Sequence, residues 1–217
     1  MRKIITVFCS LFFFLLANGI QEVAAQMHAD KSDNESFVFK SFPEDTLLYA
    51  PDVAPVMKNI IARHGRSEWR AGVLTNELHG HLGIYAIVGV KMGIRAREYF
   101  NIGVDDITVV TYAGLQPPVS CMNDGLQVST GGTLGHGLIS VASDETIRPE
   151  ASFTFKSKTL RLKLKPVYAQ QIRNDVEDAI RRYGNLTEPY WQQIRVLAIK
   201  YWEEFDRHEM FEKVVEN

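Results

Sequence analysis

The chain is poor in cysteine, with two in 217 residues, Cys9 and Cys121. Cys9 lies in a segment laid out like a secretory signal peptide. Met1-Arg2-Lys3 gives a positive start, Ile4 to Leu16 is uncharged and rich in Phe and Leu, and Val23-Ala24-Ala25 offers small residues for cleavage. The expectation is an exported protein, periplasmic or secreted, cut near Ala25 and keeping Cys121 alone. One cysteine excludes an internal disulfide framework.

Long apolar runs are equally scarce. The N-terminal run of about 13 residues falls short of the roughly 20 that a spanning helix needs. No second run follows, so the mature form is expected to span no membrane. Basic charge is not in excess either: 24 Lys and Arg stand against 26 Asp and Glu. That balance argues against a nucleic-acid binder, which usually carries a basic stripe. Repeats and low-complexity tracts are missing. What is present is a globular composition, 46% hydrophobic and 11% aromatic, long enough for one sizeable core or one domain with a helical appendix.

Residues 26–44 are polar and irregular and read as a tether, with Phe37, Phe39 and Phe42 able to pin its end. Pro51 to His64 has helical periodicity, and Gly65 marks its stop. His64 reads there as a helix-end residue facing the dipole. Leu82 to Phe100 is apolar nearly all round, so a buried helix is expected. It carries Gly83, Gly89 and Gly93. Each interior glycine costs about 1 kcal/mol against alanine, so another backbone or a ligand must come close.

Ile107 to Ala113 is a β-branched run that predicts a buried strand. Cys121 to Thr130 can form a short helix, and Leu138 to Val141 a short strand. Ala151 to Lys156 and Thr159 to Lys165 alternate and predict a hairpin. Leu160, Leu162 and Leu164 face inward, while Arg161, Lys163 and Lys165 form a solvated face. Val167 to Tyr183 and Pro189 to Phe205 are helical, and a charged tail follows to Asn217. This order gives an α+β fold, with a main domain over 45–166 and the helices of 167–217 packed on it. The stripe of Trp191, Tyr201 and Trp202 reads first as core and second as a partner surface.

Four of the six histidines and Cys121 fall between His64 and His136. In Glu77-Leu78-His79-Gly80-His81, two imidazoles two apart share a face on an extended chain and diverge on a helix. They can converge on a late transition metal if they sit just before the buried helix. They can equally be capping or surface histidines. Cys121 opens a helix, where the dipole favours a thiolate that can bind metal or attack an electrophile; the alternative is a small buried apolar residue. Asp124, one turn on, can be a ligand, a partner of a histidine or a general base, or an ordinary first-turn aspartate. The loop Gly131-Gly132-Thr133-Leu134-Gly135-His136-Gly137 can bind an anion through its amides, though it lacks the ending of a P-loop. It exposes His136 between two glycines. His28 and His208 have no assigned role.

Two blocks, His79-Gly80-His81-Leu82 with Gly89, and Cys121-Met122-Asn123-Asp124-Gly125-Leu126-Gln127 with Thr130 to Gly137, together resemble the formylmethanofuran dehydrogenase E-subunit family. The resemblance covers roughly Glu77 to Val141 and leaves out the helices from Val167 onward. It implies an α+β domain with a mixed sheet of about four strands packed against helices. It also implies a divalent transition metal, usually taken as zinc, held by His79, His81 and Cys121 with Asp124 and Gln127 nearby. Gly83-Ile84-Tyr85 stand where relatives often have Cys-Pro-Gly. Gly132 and His136 replace a cysteine and a lysine, and a further block with cysteine pairs is absent. These departures argue against thiol redox chemistry and leave His136 as a candidate ligand or acid/base. Three protein ligands and an open position would let a metal-bound water act, with Asp124 or His136 moving the proton. The alternatives are a binding or metal-delivery module without turnover and, last, a thiol enzyme using Cys121. A small-molecule ligand and a homodimer are the expected partners.

Overall fold

The computed structural model describes residues 38–104, 107–143 and 146–216. The expected leader over residues 1–25 and the expected tether as far as Phe37 lie outside them. Phe42 is buried and Phe39 is half exposed, so one of the two described tether phenylalanines enters the core.

Helices flank a five-stranded mixed sheet. Helix α1 (Met57–His64) follows a run of turns, so the helical pattern from Pro51 starts six residues late. Helix α2 (Arg66–His79) follows at once. The sequence did not suggest it, because Glu68, Thr75 and Asn76 sit on its buried side and blur the apolar stripe. Helix α3 (Ile84–Phe100) is the buried one expected. Then come β1 (Thr108–Thr111), a 3-10 turn (Val119–Cys121), α4 (Met122–Thr130), β2 (Ile139–Val141), β3 (Glu150–Phe155), β4 (Lys158–Leu164), α5 (Pro166–Tyr183), α6 (Glu188–Glu204) and β5 (Phe211–Glu216).

The strand order is β2-β1-β3-β4-β5, with β1 and β2 parallel and the other pairs antiparallel. The parallel pair needs a crossover, and α4 supplies it. The β1 run is buried on one face only: Val109 and Thr111 are inside, Thr108 is exposed. The charged tail is an edge strand, not an irregular end: Glu212 and Val214 pair with Lys163 and Arg161 of β4. One sheet face, including Val109, Phe153, Leu160 and Leu162, joins the helices in the main core, and Ala71, Val90 and Ile94 form a smaller cluster between α2 and α3.

The interior glycines of α3 are used as close-approach points. A Cβ on Gly89 would run into the Met122 carbonyl and Gly125, and one on Gly93 would meet Ser129. Gly125 faces back onto the Ala86 carbonyl and the Val90 amide. Helices α3 and α4 therefore cross backbone to backbone. On the other side, Trp202 of α6 stacks on Trp69 of α2, with ring centroids 4.9 Å apart. Tyr201 and Trp202 are core residues, whereas Trp191 is 40% exposed.

A buried ion network ties the helices together. The Lys91 ammonium of α3 meets the Glu68 carboxylate of α2 at 2.5 Å, both side chains fully buried. Arg207 donates to the other Glu68 oxygen at 3.0 Å and to the His64 carbonyl at 2.9 Å. His64 is not at a wet helix end. It is buried, with Nε2 2.9 Å from the Glu203 carbonyl, and burial holds its imidazole below the ordinary range, so the cation–dipole role does not apply.

Candidate functional site

Helix α2 ends at His79. Gly80 follows with φ 79°, the left-handed region that glycine enters without a Cβ penalty, and its amide donates to the Asn76 carbonyl at 3.0 Å. This reversal, rather than an extended chain, brings the His79 and His81 rings to 4.4 Å between centroids. Asn76 fastens the turn from beneath. Its side chain donates to the Gly72 carbonyl at 2.7 Å and accepts from the Gly83 amide at 3.0 Å.

The His79 ring is oriented from another helix. Its Nδ1 lies 2.7 Å from an oxygen of Asp124, on the first turn of α4. An ionised carboxylate only accepts, so Nδ1 carries the hydrogen, and the lone pair of a neutral ring would then lie at Nε2. That Nε2 is buried and has no hydrogen-bond partner. It rests against Gly83, where a Cβ would stand 3.1 Å from it. A histidine fixed by a carboxylate at one nitrogen and bare at the other is the usual form of a metal-bound imidazole.

His81 is exposed, with its ring edge-on to Trp191 at 5.2 Å. Partial burial, and then the neighbouring His79, hold its imidazole below the ordinary range, which favours the neutral ring with a lone pair to donate. Cys121 closes the 3-10 turn before α4, half-buried. Burial, then the nearby Asp124 charge, push its thiol up. The dipole-stabilised thiolate expected from the sequence is therefore not favoured by these surroundings. The residues fit a metal in part. His79 and His81 adjoin and Asp124 serves His79, but among the described residues no three His, Cys, Asp or Glu side chains converge on one point.

The glycine-rich loop is not an open anion cradle. The amides of Gly131, Gly132, Thr133, Leu134, His136 and Gly137 donate to acceptors of α4 and of the loop itself. Gln127 serves here, its Oε1 accepting from Leu134 at 3.1 Å. His136 is exposed, with Nδ1 3.0 Å from the Gly131 carbonyl.

The FmdE family model, described as molybdenum formylmethanofuran dehydrogenase operon, matches residues 78–211. The chain belongs to the FmdE family. The match runs past Val141 through α5 and α6 to the first residue of β5, so the helices that the two motif blocks left out belong to the FmdE region. No curated protein matches the chain.

Within the FmdE region, His81 borders two hollows. A cavity of about 560 Å³ lies between the end of α2, the turns before α1, and α6. A second of about 380 Å³ is lined by His81, Leu82, Trp191 and Arg195. Asn76 was not foreseen; Gly83 was expected to admit a close approach, which His79 makes, and Trp191 was read as part of an aromatic stripe rather than as a neighbour of His81. Asn76 carries a signal in hindsight, an amide four residues before a glycine at a helix end. The Gly83–His79 contact depends on a turn that no spacing rule reveals.

Proposed function

We propose that this FmdE chain is exported and holds a divalent metal, with zinc suiting the donors, at His79 and His81, with Cys121 as a third donor only once metal binding displaces its proton and draws it to the pair. The observation that carries the reading is the bare, buried Nε2 of His79 opposite an Nδ1 held by Asp124. Asp124 is thereby an orienting residue rather than a free general base. The reading asks nothing of His136. A bound zinc ion would supply Lewis acidity toward a small organic molecule. Reading the chain as a delivery module draws support from the exposed His81 and the absence of a third convergent donor among the described residues, both suited to exchange.

Elemental analysis of protein purified without chelator tests the metal. About one equivalent per chain is expected, retained through gel filtration by an enzyme and lost to a competing chelator by a carrier. Asp124→Asn should weaken binding by about 10- to 100-fold, as removal of such partners does. Metal-free wild-type protein, or unchanged affinity in Asp124→Asn, would sink the reading.

A further inference from the structure

The larger cavity has a chemistry of its own. Its wall is built from Phe42, Tyr49, Val53, Leu82 and Trp202. Its mouth carries exposed apolar side chains, Phe39, Leu48 and Leu74. The volume, about 560 Å³, lies within the range of small-molecule sites, roughly 300–1,000 Å³.

The polar groups in this wall are mostly spent. Asn76 is used at both ends of its amide. The Tyr49 hydroxyl donates to the Pro43 carbonyl. The Arg195 guanidinium is held in a two-pronged pair with Asp52, at 2.5 and 2.8 Å, which offsets its charge. Glu77 is different. It lines the cavity, is exposed, and makes no ion pair or hydrogen bond among the described residues. His81 lines the same cavity.

An apolar, aromatic-walled hollow with one unspent carboxylate at its mouth suits a molecule with an apolar body and a cationic head. The body leaves water against the rings. The head stays at the wet rim, near the Glu77 carboxylate. An anionic head would meet Glu77, while the cation in the wall, Arg195, is already paired with Asp52.

We propose that this cavity binds a hydrophobic amine, body inward and ammonium at Glu77, with the atoms next to the head lying against His81. This deepens the metal-site reading by naming the class of molecule brought to it. It depends on that reading only for what happens after binding.

Calorimetric titration of the full chain with 4-phenylbutylamine, 4-phenylbutanol and 4-phenylbutanoate near neutral pH tests the assignment. The amine should bind about five- to tenfold more tightly than the alcohol, and the carboxylate most weakly. Glu77→Gln, an exposed change, should bring amine and alcohol within about twofold of each other. Ala50→Phe, at an exposed lining position, should weaken all three by filling the hollow. His79→Ala should leave amine affinity unchanged while abolishing metal uptake, which separates this proposal from the metal reading. The proposal is overturned if none of the three binds at millimolar concentration. It is equally overturned if the carboxylate matches the amine, or if Ala50→Phe has no effect.

Discussion

His64 shows how burial turns a common residue into a pH-sensitive one. Burial first, and then the Lys91 charge, hold its imidazole below the ordinary 6.5. The unfolded chain therefore takes up the proton before the folded one does. Its contribution to stability is complete above about 6.5 and is lost as pH falls through the folded value. Thermal midpoints recorded from about pH 8 down to about pH 5 should drop. His64→Gln should flatten that drop without removing it, because the imidazole of His81 is shifted in the same direction. An identical slope in the variant would count against this account. Single residues also mark what sequence reasoning reaches. His79 and His81 were legible as a pair, and Asp124 as a possible partner, because residue type and spacing carry that much. Which Asp124 atom meets which His79 nitrogen depends on how two helices cross, and no spacing encodes that.

At the scale of elements, glycines carry the decisive contacts. Gly125→Ala would drive a Cβ into the Ala86 carbonyl and the Val90 amide, backbone atoms that cannot swing aside. A loss of about 1–3 kcal/mol or more is expected, read from urea melts. A neutral result would mean that α3 and α4 separate more easily than their contact suggests. The three glycines of the apolar run announced a close approach, and two of them, Gly89 and Gly93, make it against α4. The elements that escaped notice lack a one-sided pattern. Helix α2 buries Glu68 and Asn76 beside Trp69, so polar residues interrupt its stripe. Strand β5 exposes every residue after Phe211, so its sequence reads as a charged tail, and only hydrogen bonding to β4 makes it a strand.

At the scale of the molecule, the Lys91–Glu68–Arg207 network joins α2 and α3 to the segment that follows α6. Glu68→Leu leaves the Lys91 ammonium buried without its partner and should cost about 3–5 kcal/mol, measured by chemical denaturation. Pairing it with Lys91→Met should restore much of that loss, since well-packed apolar groups often replace a buried ion pair at little cost. A double variant as unstable as the single one would show that the charges do more than satisfy each other.

The crossing of α3 and α4 has a consequence beyond packing. Asp124 is the immediate neighbour of Gly125, so the glycine seat works as a ruler that sets how far along α4 the carboxylate stands. One residue of helix is about 1.5 Å of travel. A slip of that size at Gly89 and Gly125 would carry the carboxylate out of hydrogen-bond range of His79. Any change chosen to loosen or tighten this seat is therefore also a change to the tuning of the histidine.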